Sequence, residues 1–126
     1  MSKHSFLFLA AALLALSAQA EPPPGDAARG RLTFAACRTC HYPEKEVGHH
    51  NGPSLFNVFG RQAGNTDFAY YSEVMKASGL VWTPELLDVW LANPQSFLKG
   101  NTMVTVPVPS AQDRADLIAY LKQFRE

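Results

Sequence analysis

The stretch Cys37-Arg38-Thr39-Cys40-His41 (CRTCH) holds the only two cysteines of the chain, with a histidine directly behind the second. Three chemistries can use such a stretch: a redox-active thiol pair, part of a zinc site, or covalent attachment of a haem. Thiols at i and i+3 share one face of a helical turn, so both can add to the two vinyl groups of a porphyrin. The residue after them then lies beneath the iron, where the imidazole of His41 can ligate it. A thioredoxin-like pair expects a βαβ surround and has no use for His41. Zinc needs four ligands, which Cys37, Cys40, His41 and either His49 or His50 could supply, but ligands as close as Cys40 and His41 make that arrangement awkward. The motif therefore predicts one haem c, covalent via Cys37 and Cys40, with zinc or a plain disulfide as lesser alternatives.

Upstream, residues 1–20 run from Lys3 and His4 through the apolar stretch Phe6 to Leu16 to Ala18-Gln19-Ala20. That is the layout of a secretory signal peptide with an A-x-A cleavage site. The apolar run is too short for a bilayer span and a Pro22-Pro23-Pro24 break follows it, so no stable membrane insertion is expected after cleavage. Export implies an oxidising compartment such as the periplasm, where a cysteine pair is either oxidised or occupied. Removing 20 of the 126 residues leaves 106, enough for one domain. Lys3 is the only charged residue lost, so ten Lys and Arg remain against eleven Asp and Glu. That balance leaves no basic excess for nucleic acid.

The mature chain reads as all-α. Residues 21–25 form a Pro-rich leader, frayed or extended, and 26–126 form the domain. Asp26 offers an N-cap for a first helix reaching the cysteines, and Gly30 within it implies a close packing partner, because glycine there costs about 1 kcal/mol relative to alanine. From Tyr42 to Asp67 neither helical nor strand periodicity holds. A second helix is expected from Phe68 to Ser78, stopping at Gly79. Thr83-Pro84-Glu85 gives an N-cap, a proline at the first helical position and an acid at the positive end of the dipole. The helix they open ends before Asn93-Pro94, with Leu86, Val89, Trp90 and Leu91 as its expected core face. After an irregular stretch from Leu98 to Pro109, Ser110 and Asp113 start a last helix in which Leu117, Leu121 and Phe124 recur to the chain end. Four helices and two long loops make a thin core unless something non-protein fills it.

The second axial ligand has four candidates: Met75, Met103, His49 and His50. Met75 falls in a helix, where methionine commonly fills gaps in a core. The two histidines sit in a polar loop close to His41. Met103, in the loop KGNTMVTVP, lies far from His41 in sequence and outside any helix, and is the preferred metal ligand with His41.

Beyond the motif, GPSL (52–55), FGRQAG (59–64), Trp82, LANP (91–94), GNTM (100–103) and RADLIAYLK (114–122) resemble the class I cytochromes c, of the soluble mitochondrial type and its bacterial relatives, along almost the whole mature chain. The resemblance implies a small monohaem cytochrome c fold, four to five helices and long loops wrapped around one covalently attached haem. It implies that the Pro53 carbonyl receives the His41 N–H that faces away from iron. It also implies that Arg61, Trp82 and either Tyr70 or Tyr71 hydrogen-bond or neutralise a haem propionate. Gly30 and Phe34 would meet Leu117 and Tyr120 where the first and last helices cross. Departures are Lys99 where the family usually has proline, Trp90 where a tyrosine often bonds the methionine sulfur, and the absence of most of the mitochondrial ring of lysines.

The expected function is that of a periplasmic one-electron carrier, not an enzyme, with both axial positions filled. Expected partners are redox proteins such as a quinol:cytochrome c reductase, a periplasmic dehydrogenase or a terminal oxidase, met by a monomer in brief encounters. The alternatives are a haem peroxidase or gas-binding sensor with a labile methionine, against which stands the lack of a distal acid-base residue, and a structural zinc module.

Overall fold

A computed structural model describes residues 21–126; the expected signal peptide, residues 1–20, lies outside the described residues. Five α-helices follow in order: α1 (Ala27–Thr33), α2 (Glu73–Ala77), α3 (Pro84–Ala92), α4 (Pro94–Phe97) and α5 (Ala111–Leu121), with a 3₁₀ turn at Phe34–Ala36 after α1. Among the described residues the only extended pairing is a single antiparallel bridge between Gln62 and Val81. No described helix is long and apolar enough to cross a membrane.

The caps expected from the sequence are present. Asp26, Thr83 and Ser110 each accept a main-chain N–H three residues on, from Arg29, Leu86 and Asp113. Asn93 leaves helical space at φ −164°, which ends α3, and its side chain accepts from Ser96 N–H to start α4 at once. The LANP segment is thus a joint between two helices, and α4 brings the count to five, the upper figure the resemblance implies, where the residue pattern alone gives four.

Three expectations need correction. The helix expected over 68–78 covers only Glu73–Ala77, because Ser72 is extended and caps Met75 N–H, while Phe68 is held in a turn by Thr66 Oγ1. On α3 the buried residues are Leu87 and Trp90, and Val89 is 52% exposed. Leu87, Trp90 and Leu91 follow the i, i+3, i+4 spacing of one face, which turns Val89 to solvent. The last helix stops at Leu121 instead of running to the end, and Phe124 packs back edge-on against Tyr120 at 5.0 Å. The Pro-rich leader has no regular secondary structure, and it is held at Pro24, whose carbonyl accepts from Gln112 on α5.

The first and last helices cross as the resemblance implies. A Cβ on Gly30 would stand 1.9 Å from the Asp116 carbonyl oxygen and 2.8 Å from Tyr120 Cβ, so only glycine allows this approach. Phe34 then lies 5.4 Å from Tyr120, ring to ring. The long segment after the cysteines has no helix but is stitched at both ends. Leu55 and Gly52 donate to the carbonyls of Tyr42 and Cys40, while Gly60 and Ala63 donate to the carbonyls of Trp82 and Leu80, and Trp82 donates to that of Arg61. Seven of the ten buried hydrophobic residues face one internal cavity: Phe34, Val58, Trp82, Leu87, Trp90, Leu117 and Leu121. The core is a shell, which is why the sequence looked too short to fill it.

Candidate functional site

That cavity has a volume of about 400 Å³ and an open mouth. Cys37, Cys40, His41, Pro53, Arg61, Tyr70, Tyr71, Trp82 and Met103 all line it, as does Met75. The helical run from α1 through the 3₁₀ turn continues as tight turns in which Cys40 N–H and His41 N–H both donate to the Cys37 carbonyl. The two cysteines are not joined to each other by a disulfide. Burial raises the pKa of the Cys37 thiol, with Cys40 adding to the shift, so it is neutral near pH 7.

His41 is oriented by main chain alone. Its Nδ1 lies 2.8 Å from the Pro53 carbonyl oxygen. A carbonyl can only accept, so Nδ1 carries the ring proton and Nε2 keeps a lone pair for a metal. Gly52 lies flat against the ring: a Cβ there would come within 2.5 Å of His41 Cε1. Burial lowers the His41 pKa, the hydrogen bond to Pro53 partly offsets this and the Arg61 charge lowers it further; the net shift is downward, which favours the neutral imidazole.

The other candidate ligands separate by location. His49 is engaged at both ring nitrogens, with Ser54 N–H at 2.8 Å and Asp67 Oδ1 at 2.7 Å, and His50 packs tilted against Tyr42 at 4.5 Å. Neither lines the cavity, whereas both Met75 and Met103 do. Met103 sits on a loop that Asn101 fastens. The buried Asn101 side chain donates to the carbonyls of Pro94 and Leu98 and accepts from Met103 N–H at 3.1 Å. Gln95 holds the same loop through the Met103 carbonyl. Sequence reasoning missed Asn101 and Gln95 as supports; the asparagine two residues before the methionine was their only signal.

Arg61 is a half-buried cation whose guanidinium donates to the carbonyls of Ser54 and Phe56, and burial lowers its pKa. Among the described residues it pairs with no carboxylate. Tyr71 lies beside it, sharing a hydrogen bond with Thr66 at 2.7 Å, while Tyr70 is 78% exposed at the mouth. Trp82 is buried, edge-on to Trp90 at 5.5 Å. Among the described residues no three His, Cys, Asp or Glu side chains gather as a metal site.

The set suits a haem. It provides an apolar slot, two thiols three positions apart, a neutral imidazole with its outer nitrogen already satisfied, a thioether on a fastened loop, and an unpaired cation for a propionate.

The sequence model of the family described as cytochrome c matches residues 27–125. A cytochrome c of Theileria annulata is 45% identical over 102 residues, 80% of this chain and 88% of its own length. One of Chlamydomonas reinhardtii is 42% identical over 86% of this chain and 97% of its own. Among solved structures, cytochrome cH from Methylobacterium extorquens superimposes with a TM-score of 0.73 at 38% identity, covering 79% of this chain and 99% of that one. The chain therefore belongs to the cytochrome c family, as an all-α electron carrier, not an enzyme, with one covalent haem c as its cofactor.

Proposed function

We propose that this chain is an exported, periplasmic one-electron carrier, acting as a monomer, in which Cys37 and Cys40 hold the haem and His41 and Met103 are its axial ligands. When bound, haem iron supplies a one-electron couple. The protein's part is to hold both ligands through the transfer, exclude water and balance charge. The observation that carries the reading is the His41–Pro53 hydrogen bond, which fixes the ring so that Nε2 is the nitrogen with the free lone pair. The Asn101 and Gln95 contacts hold Met103 in a loop rather than a helix. A soft thioether and an apolar slot both favour the ferrous state, so a high potential is expected. Arg61, with Tyr71 and Trp82 around it, neutralises a propionate; Tyr70 marks the cavity mouth.

Partners are redox proteins such as a quinol:cytochrome c reductase, a periplasmic dehydrogenase or a terminal oxidase. The near balance of ten basic and eleven acidic residues after position 20 supports docking that depends weakly on salt. The test is an optical spectrum with intact mass and fractionation of the producing cell. Expected are low-spin bands, a methionine-to-ferric charge-transfer band, and a periplasmic mass equal to residues 21–126 plus one haem. Met103→Ala should abolish the charge-transfer band; loss of that band in Met75→Ala instead would overturn the ligand assignment.

A further inference from the structure

The peptide unit between Pro53 and Ser54 is hydrogen-bonded at both ends, and both partners are imidazoles. Its carbonyl accepts from His41 Nδ1 at 2.8 Å and its N–H donates to His49 Nδ1 at 2.8 Å. A main-chain N–H can only donate, so His49 Nδ1 is bare and its ring proton sits on Nε2. That nitrogen lies 2.7 Å from Asp67 Oδ1 and donates to it. The result is one directed chain, from His41 through a single amide to His49 and on to a carboxylate.

Every link polarises the next in the same sense. Negative charge on Asp67 raises electron density at His49 Nδ1, which makes that nitrogen a better acceptor. The Ser54 N–H is drawn toward it, and amide resonance passes the density to the Pro53 oxygen. That oxygen then pulls harder on the His41 proton. Asp67 is 94% exposed, yet its pKa is lowered, first by its hydrogen bond to His49, which keeps the chain's anionic end charged. The other groups around His49 do not compete for its nitrogens. Phe68 packs at 5.6 Å, His50 packs tilted against Tyr42, and Arg61 meets Ser54 only at its carbonyl.

We propose that His49, anchored by Asp67, is a positioning residue for His41: by accepting from the Ser54 N–H it polarises the shared peptide and makes the His41 imidazole a stronger donor to iron. The proposal rests on His41 being an axial ligand, as read above. A more imidazolate-like ligand stabilises ferric iron, so the chain lowers the potential that the methionine and the apolar slot raise. A merely structural role for His49, stapling the 49–54 loop to 67–68, would affect stability alone.

The experiment uses the holoprotein and the variants His49→Leu, His49→Asn and Asp67→Asn. Two readouts are followed: midpoint potential, and the ¹H resonance and exchange rate of His41 Nδ1–H in the ferrous state. His49→Leu removes the acceptor, so the potential should rise while the Nδ1–H resonance moves upfield and exchanges faster. In His49→Asn the side-chain oxygen stands where Nδ1 was and should restore most of both. Asp67→Asn changes an exposed side chain, leaves folding intact, and should shift both readouts in the direction of His49→Leu. A through-space charge effect would move the potential of Asp67→Asn but leave its Nδ1–H resonance unchanged, and that result overturns the proposal. So does a wild-type potential in Asp67→Asn. Failure of the ligand assignment itself is visible separately: His41 ring protons would lack hyperfine shifts in the ferric wild-type protein, and the proposal would fall with it.

Discussion

Gly30 in α1 faces the Asp116 carbonyl in α5 so closely that a Cβ at position 30 would stand 1.9 Å from that oxygen. The obstacle is main chain and cannot swing aside. Gly30→Ala therefore has to pry the two helices apart, although alanine is the better helix former. The expected cost is about 3 kcal/mol or more, beyond the usual range for overpacking because backbone must move. Chemical denaturation of the holoprotein measures it; an unchanged midpoint would mean that the helices have room to spare.

Asp116 also fastens the same crossing through its carboxylate. It is 1% exposed and accepts from Asp26 N–H, Gln112 and two nitrogens of Arg29. The hydrogen bond from Arg29 lowers its pKa from 3.8 to about 2. A carboxyl whose pKa falls on folding stabilises the fold above its unfolded value and loses that contribution as pH drops through the folded one. Asp116→Asn is accordingly expected to be less stable at pH 7. The gap to wild type should narrow between pH 3.8 and about 2, as read from denaturation midpoints across that window.

Asn101 is the fastener of the methionine loop, making bonds to Pro94, Leu98, Gln95 and Met103. Asn101→Ala leaves the Met103 N–H without its acceptor and takes one of two hydrogen bonds from each of the Pro94 and Leu98 carbonyls, at about 1–3 kcal/mol. The loop should open more often, so exogenous imidazole or cyanide should bind the ferric protein at least about tenfold faster, each 1.4 kcal/mol of opening being tenfold in population. Stopped-flow mixing reads this directly, and wild-type rates would show that the loop is held elsewhere.

Met75 and Met103 both line the cavity and pack against the core, Met75 from α2 and Met103 from a loop. Met75→Leu conserves volume, so a cost under about 1.5 kcal/mol and an intact charge-transfer band are expected. Thermal melts and the optical spectrum check both halves.

Much of the frame was legible because its signals are local. Asp26, Thr83, Asn93-Pro94 and Ser110 act within three or four residues of themselves, and the helix ends follow them. Where the reading slipped, a contact distant in sequence or a competing local bond had taken over. Thr66 held Phe68 in a turn and shortened α2, and packing against α5 set which face of α3 is buried. Tyr71 beside Arg61 and Tyr70 at the mouth differ by one residue, which sequence alignment could not resolve.

By itself the sequence determined the cofactor and the need for a close packing partner at Gly30. Both depend on short-range chemistry: thiols and an imidazole within five residues, and a residue without a side chain where helices touch. Only the tertiary structure decided which polar groups meet across long separations. Arg29 reaches Asp116 across 87 positions, and one peptide joins His41 to His49 and thence to Asp67. Hydrogen bonds act over about 3 Å, so their partners are chosen by where the folded chain comes back to itself.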